Sequence, residues 1–367
     1  MNSTLLCFLC FFSISSIFAH PFNNFPNIPD DIPNITFPAS WDSFKNFSGC
    51  HVGDKVDGLA NIKKYFRQFG YLPDSVDNYT DDFDDSLESA LKIYQLNFNL
   101  NDTGVLDDTT LQQITLPRCG NADVVNGSST MKSGSGKNNS HSDSSTIHSV
   151  AHYSFFPSRP RWPSWKTDLT YAFAPGNQLT DTVKSVFARA FLRWQDVTPL
   201  TFREIQNYDT ADITIGFFGG NHGDGEPFDG VLGTLAHAFS PPDGRFHLDN
   251  AENWVVEGDV STSSSNGAID LESVAVHEIG HLLGLGHSSI PEAIMYPTIS
   301  TGLKKVDLAS DDVEGIQVLY GGNPNGAGST GSTPRQERET NDGGVQFMGS
   351  CFKWALGLVI GGILLVL

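Results

Sequence analysis

The sequence predicts an α+β protein in two folded parts, a small all-helical domain followed by a domain built from a twisted mixed β-sheet and three helices. Three observations predict it. Residues 56–114 carry apolar side chains at spacings of three and four. Residues 169–218 alternate between period-two runs and one strongly amphipathic helical run. Between the two lies a stretch, 124–150, rich in Ser, Gly, Asn and Lys, the composition of a flexible linker.

Residues 20–49 are rich in Pro, Asn and Phe without a steady period and read as an irregular leader. A first helix follows from Leu59, Ile62, Tyr65, Phe66 and Phe69, ending at Gly70. Leu87, Leu91, Tyr94 and Phe98 define a second helix, and a third begins after Asp107-Asp108 with Leu111 and Ile114 inward. The loop from Leu100 to Asp107 resembles that of peptidoglycan-binding-like domains. In the second part, Leu169 to Phe173 alternates as a strand. A helix starts at Thr180-Asp181 with Val183, Phe187, Ala190, Phe191 and Trp194 on one face, and 200–205 and 211–218 are further strands. The last helix opens on Asp311-Asp312, acidic residues that suit a helix N-terminus.

The chain has 367 residues and a net charge of -20, which argues against nucleic acid as a partner, where a basic face is expected. Of five cysteines only Cys50 and Cys119 fall in the folded body, so this is no disulfide scaffold. Leu5 to Ala19 is an apolar run of signal-peptide length, placing the mature start near residue 20. Trp354 to Leu367 is an apolar tail behind the small residues Asn341-Asp342-Gly343, which reads as a GPI-anchor signal with Asn341 as attachment point, in preference to a transmembrane helix. Asn-x-Ser/Thr sequons stand at Asn34, Asn46, Asn78, Asn101, Asn126 and Asn138, all before residue 140 and consistent with a secreted chain.

The chemistry centres on Val276-His277-Glu278-Ile279-Gly280-His281-Leu282-Leu283-Gly284-Leu285-Gly286-His287-Ser288. Histidines four apart share one helix face, because four residues nearly complete a turn. Gly284 ends the helix and lets the chain bring His287 back to the same point. Three neutral imidazoles with a fourth position open form the ligand set of a catalytic zinc rather than a structural one. Glu278 is the candidate general base. A buried amphipathic helix that merely carries histidines explains His277 and His281 but not the added Gly284 and His287.

Pro117-Arg118-Cys119-Gly120-Asn121-Ala122-Asp123 resembles the cysteine-switch segment of the matrixins, the matrix metalloproteinase family of the metzincin clan, departing from it at Ala122. A thiolate is a strong zinc ligand, so the resemblance implies that Cys119 fills the open position in an inactive precursor, with Arg118 and Asp123 paired across the loop. His222, Asp224, His237 and His247 resemble the family's structural zinc site, a closed set of four. Asp229, Gly230, Asp249 and Glu252 resemble its first calcium site, completed by carbonyls near Leu232 and Thr234; a solvated acidic loop is the alternative. Asp212 matches a ligand of a further calcium site, but the short loop 241–245 replaces the segment that supplies its partners. Ile294-Met295-Tyr296-Pro297 looks like the Met-turn, an apolar floor beneath the zinc. Ser273 lies where the family controls pocket depth, and its small side chain implies an open pocket for large apolar residues.

The resemblance, most like the plant matrixins, covers about 50–322. It implies a propeptide over 20–123, a linker and activation region over 124–150, a zinc protease domain over 151–322, a second linker over 323–343 and a removed anchor signal over 344–367. The implied activity is zinc- and calcium-dependent cleavage of extracellular proteins before bulky hydrophobic residues. It further implies activation by another protease or by autolysis, and a protein held at the outer face of the plasma membrane by a lipid anchor or released to the extracellular space. Two rival classes are a non-catalytic cell-surface binding module, against which Glu278 and all three histidines stand, and another metzincin such as an astacin-like enzyme, against which Ser288 and the Cys119 loop stand.

Overall fold

The computed structural model describes residues 41–74, 78–131, 152–265 and 267–324. The apolar N-terminal run, the C-terminal tail, Asn34, Asn138 and Asn341 lie outside the described residues. Among those described, no helix is long and apolar enough to cross a membrane.

The N-terminal part holds α1 (Leu59–Gln68), α2 (Asp85–Asn97) and α3 (Asp108–Ile114) around one aromatic-rich core. Asp84 and Asp107 cap α2 and α3, their carboxylates accepting from the amides of Leu87 and Thr110. The leader departs from its expected irregularity at its end. Residues Trp41–Phe47 form a 3₁₀ helix whose three-residue period buries Trp41, Phe44 and Phe47 in that core.

After α3 the chain crosses to the second part as β1 (Arg118–Cys119) and returns as a hairpin, β2 (Val124–Val125) and β3 (Ser128–Ser129). The first residues of the expected linker are therefore ordered. Asp123 and Val124 donate their amides to Phe69 O, and Val124 and Met131 are buried in the helical core.

The second part contains β4 (Asp168–Phe173), α4 (Asp181–Val197), β5 (Thr201–Glu204), β6 (Ile213–Phe218), β7 (Thr234–Ala238), β8 (Arg245–Asp249), β9 (Asn253–Val255), β10 (Ala268–Asp270), α5 (Leu271–Leu282) and α6 (Ser310–Tyr320). The sheet runs β1-β7-β8-β6-β4-β5, with β7 antiparallel to β8 and the other pairings parallel, so it is mixed as expected. The helices α4 and α5 pack together, and Trp194 on α4 donates its indole N–H to Val276 O at 2.9 Å. The edge strand is the functionally important detail. β1 joins β7 from outside the domain, Arg118 opposite Thr234 and Cys119 opposite Ala236.

Candidate metal centre

All twelve residues of α5 are buried, so its polar groups must be satisfied from within the protein. Asp270 caps it, accepting from the Ser273 amide. Its end is set at Gly284, whose φ of +103° is the left-handed conformation in which a side chain would meet Pro160 O at 2.1 Å. The reversal returns His287 to His277 and His281, and their ligand atoms with Cys119 Sγ lie within 4.8 Å of one another.

Each ring is oriented from behind. Nδ1 of His277 donates to Ile294 O at 2.7 Å, that of His281 to Leu285 O at 2.8 Å, and that of His287 to Asp123 Oδ1 at 2.9 Å. With the protons on Nδ1, the Nε2 lone pairs face the common point. Nε2 of His277 and His287 are buried without a hydrogen-bond partner, as are both carboxylate oxygens of Glu278. Burial, and then neighbouring imidazoles, hold His277 and His281 well below the usual histidine range and so neutral. This fits a soft or borderline cation such as zinc: neutral nitrogen donors, one sulfur, and orphaned lone pairs.

Cys119 Sγ sits 3.4 Å from His281 Nε2 and accepts from the Asn121 amide at 3.3 Å. Burial pushes its thiol well up, and the Glu278 carboxylate adds to the rise. Burial also raises Glu278, to about 8. The loop carrying Cys119 is clamped on both sides. Arg118 N donates to Gly233 O and Gly120 N to Ala236 O, both at 2.8 Å, while Cys119 N donates to Pro297 O at 2.9 Å and Ile299 N to Pro117 O at 3.0 Å.

Arg118 and Asp123 pair at 2.7 Å with no exposure, and the guanidinium lies 3.6 Å from the centroid of the Phe69 ring. The Asp123 carboxyl is burdened by burial, but Arg118 and His287 outweigh it and hold it at about 2. Asn121 extends the ladder with its side chain: its Nδ2 donates to Ala238 O at 2.7 Å, and Ala238 N donates to its Oδ1 at 3.0 Å. Sequence reading missed this use of Asn121, and nothing in its position signals it.

Met295 lies directly below α5. A Cβ on Gly280 would come 2.3 Å from its sulfur, so glycine is what admits the thioether there. Ile294 N and Met295 N donate to Asp312 at 2.8 and 3.0 Å, and Ser288 Oγ donates to Asp311 at 2.7 Å. The acidic start of α6 thus anchors the turn under the centre, a role that its helix-terminal position did not reveal.

A narrow cavity of about 30 Å³ beside Glu278 is lined by Leu235, Val274, Ile294, Tyr296, Ile299 and Lys305 among others. Ser273 also lines it. Its hydroxyl donates to Asp270 at 2.7 Å and accepts from Lys305 N at 2.8 Å, which draws the Lys305 backbone over it.

In the second cluster, antiparallel pairing sets His237 on β7 opposite His247 on β8, and the loop after β6 adds His222 and Asp224. Asp224 Oδ2 lies 2.8, 2.8 and 2.7 Å from ring nitrogens of His222, His237 and His247, and His222 Nε2 and His247 Nδ1 are 3.1 Å apart. Three imidazole nitrogens and one carboxylate oxygen thus converge on one point, the closed four-donor set that suits a structural zinc. Burial holds His237 and His247 at about 4, neutral and able to ligate. Burial acts against the Asp224 carboxylate, but the Glu226 amide and His237 hold it well below the usual range.

Asp229, Asp249 and Glu252 form a third group, Asp249 and Glu252 buried and Asp229 half-buried, with Glu252 Oε2 unpartnered. They accept from the amides of Thr234, Gly230 and Leu232 respectively. Burial and then mutual charge raise Glu252 to about 9, and burial is the first cause raising Asp229 to about 7 and Asp249 to about 6. Asp212 instead pairs with Lys166 at 2.5 Å and accepts from Thr170, so an ammonium already balances it. The described sequons Asn46, Asn78, Asn101 and Asn126 are all exposed, and Cys50 is a free thiol.

A family model described as Matrixin matches residues 161–321, and one described as a putative peptidoglycan binding domain matches residues 55–114. The chain is 59% identical to Metalloendoproteinase 2-MMP of Arabidopsis thaliana over 335 residues, 90% of this chain and 88% of that protein. It is 49% identical to Metalloendoproteinase 1 of Glycine max over 290 residues, 78% and 90% of the two chains. Matrilysin of Homo sapiens is 37% identical over 261 residues, 70% of this chain and 83% of that one.

Proposed function

Because this chain belongs to the matrixin family of zinc metalloendopeptidases, we propose that it is made as a latent secreted precursor whose Cys119 blocks its own zinc centre. The observation that carries this reading is the convergence of Cys119 on His277, His281 and His287. The three histidines hold the catalytic zinc, with Cys119 as the fourth donor of the inactive form. His222, Asp224, His237 and His247 hold a structural zinc. Asp229, Gly230, Asp249 and Glu252, with carbonyls near Leu232 and Thr234, hold calcium.

When bound, zinc supplies a Lewis acid that polarises the scissile carbonyl and acidifies water. Glu278 takes the proton of the attacking water and hands it to the leaving amine. Its burial favours this role, since a carboxylate with a raised pKa is a stronger base. The strand edge of β7 and the 297–299 segment, which clamp residues 117–120 here, bind the substrate backbone after the prosegment leaves. The apolar lining of the cavity beside Glu278 supports cleavage before bulky hydrophobic residues of extracellular proteins.

Residues 20–123 act as propeptide, and cutting within 124–150, by another protease or by autolysis, starts activation. The burial of Val124 and Met131 in the helical core supports a cut beyond them. The enzyme domain then spans 151–322, joined through 323–343 to a GPI signal over 344–367, with Asn341 as anchor and the outer plasma-membrane face as location. The exposed sequons carry glycans.

The test is cleavage of a quenched peptide by the purified chain, with and without chelator, before and after removal of residues 1–150. Cleavage should appear on removal and vanish in chelator. Equal rates in chelator, or no gain on removal, overturn the latent-zinc reading.

Calcium carries its own expected result. The folded pKa values of about 7, 6 and 9 at Asp229, Asp249 and Glu252 lie above the unfolded values, so the folded state without calcium binds the extra protons. Stability is therefore lost as pH rises from about 4 through 9. In calcium-free, zinc-replete buffer the melting temperature should fall by several degrees between pH 5.5 and 8, on the order of 2 °C or more per kcal/mol for a domain of this size. Added calcium should remove that fall. A pH profile indifferent to calcium would refute the assignment.

A further inference from the structure

Resting on the zinc reading above, we infer that Asp123 is an outer-shell positioning residue of the metal centre, so the prosegment holds the zinc site from behind as well as capping it in front.

The three ligand histidines are not supported alike. His277 and His281 are oriented by carbonyls of Ile294 and Leu285, within the enzyme domain itself. His287 has its backbone held there, its carbonyl accepting from Ser154 Oγ at 2.9 Å, but its ring is held by the prosegment. The Asp123 and His287 side chains are respectively 0% and 1% exposed, so water does not compete for that bond. Asp123 is itself fixed at both oxygens: Oδ1 accepts from Arg118 at 2.7 Å as well as from His287, and Oδ2 accepts from the Tyr71 hydroxyl at 2.9 Å. A carboxylate behind a ligating imidazole fixes the tautomer, locks the ring plane and raises the basicity of the nitrogen facing the metal; losing such a partner commonly lowers metal affinity about 10–100-fold.

Departure of the prosegment therefore removes two supports of the zinc together, the Cys119 sulfur and the carboxylate behind His287. The latent chain retains metal more strongly than loss of Cys119 alone accounts for, which suits a precursor that must keep its zinc until activation.

The experiment follows the histidine ring ¹⁵N and ¹H resonances of the full chain loaded with zinc, during competition by a chelator. In the unaltered chain, the His287 ring should show a protonated Nδ1 shifted downfield of those of His277 and His281, as a carboxylate acceptor requires. Asp123→Ala should abolish that signal and lower zinc affinity at this centre about 10–100-fold. An Asp123→Ala chain with unaltered zinc affinity overturns the inference while leaving the zinc reading intact. A full chain whose His287 Nδ1 carries no proton overturns it even if the variant does not fold. Failure of zinc to perturb any of the three rings overturns both.

Discussion

Glu278→Gln should leave the activated enzyme folded and zinc-loaded while lowering its turnover by about 10²–10⁴, the range that a positioned general base contributes. Glutamine has nearly the shape of glutamate, and Glu278 sits on the third turn of a helix whose packing comes from Val276, Ile279 and Leu282, so the scaffold has no reason to respond. None of the three imidazoles uses Glu278 as its rear partner, since those positions belong to Ile294, Leu285 and Asp123. Metal content should accordingly stay at the unaltered level. What disappears is the proton acceptor: an amide cannot take a proton from water at neutral pH. The measurement is kcat on a quenched peptide beside zinc stoichiometry on the same preparation. Activity within tenfold of the unaltered enzyme would remove Glu278 from the base role; loss of zinc together with activity would make it a structural residue instead.

What was legible in the sequence was what is local. His277, His281, Gly284 and His287 fall within one helix and one turn, so helical period and a single left-handed glycine suffice to bring them together. The helices α2, α3 and α4 were legible for the same reason, α2 from its apolar period and α3 and α4 from signals at their starts. The alternative of a binding module fell because the chain is a matrixin with its centre assembled. What stayed hidden depends on partners far apart in the chain. Asp123 meets His287 across 164 positions, and no period or motif encodes that contact. The 124–131 segment has linker composition, yet Val124 and Met131 give it two apolar anchors that hold it on the helical core.

Cys119→Ser should yield a full-length chain that cleaves peptide without prior processing, at least about tenfold faster than the unaltered uncut chain. Donor strength decides the outcome. A thiolate is a strong zinc ligand and a serine hydroxyl a weak one, so the substitution releases the block at the metal while altering a single atom. The rest of the clamp stays. The backbone ladder to Gly233, Ala236 and Pro297 and the buried Arg118–Asp123 pair do not involve the sulfur. Those contacts keep the prosegment in the cleft for part of the time, so the rate should fall short of the fully processed enzyme. The two effects separate in one comparison of three preparations: uncut unaltered chain, uncut Cys119→Ser chain, and processed enzyme, with chain length checked by mass at the end of each assay. An intermediate rate for the variant is the expected order. A variant as silent as the unaltered precursor would shift the whole of latency onto steric occupation of the cleft, making the sulfur incidental. A variant as fast as the processed enzyme would mean that the metal–sulfur bond is what keeps the ladder in place, and that the strand pairing of residues 118–121 is too weak to persist without it.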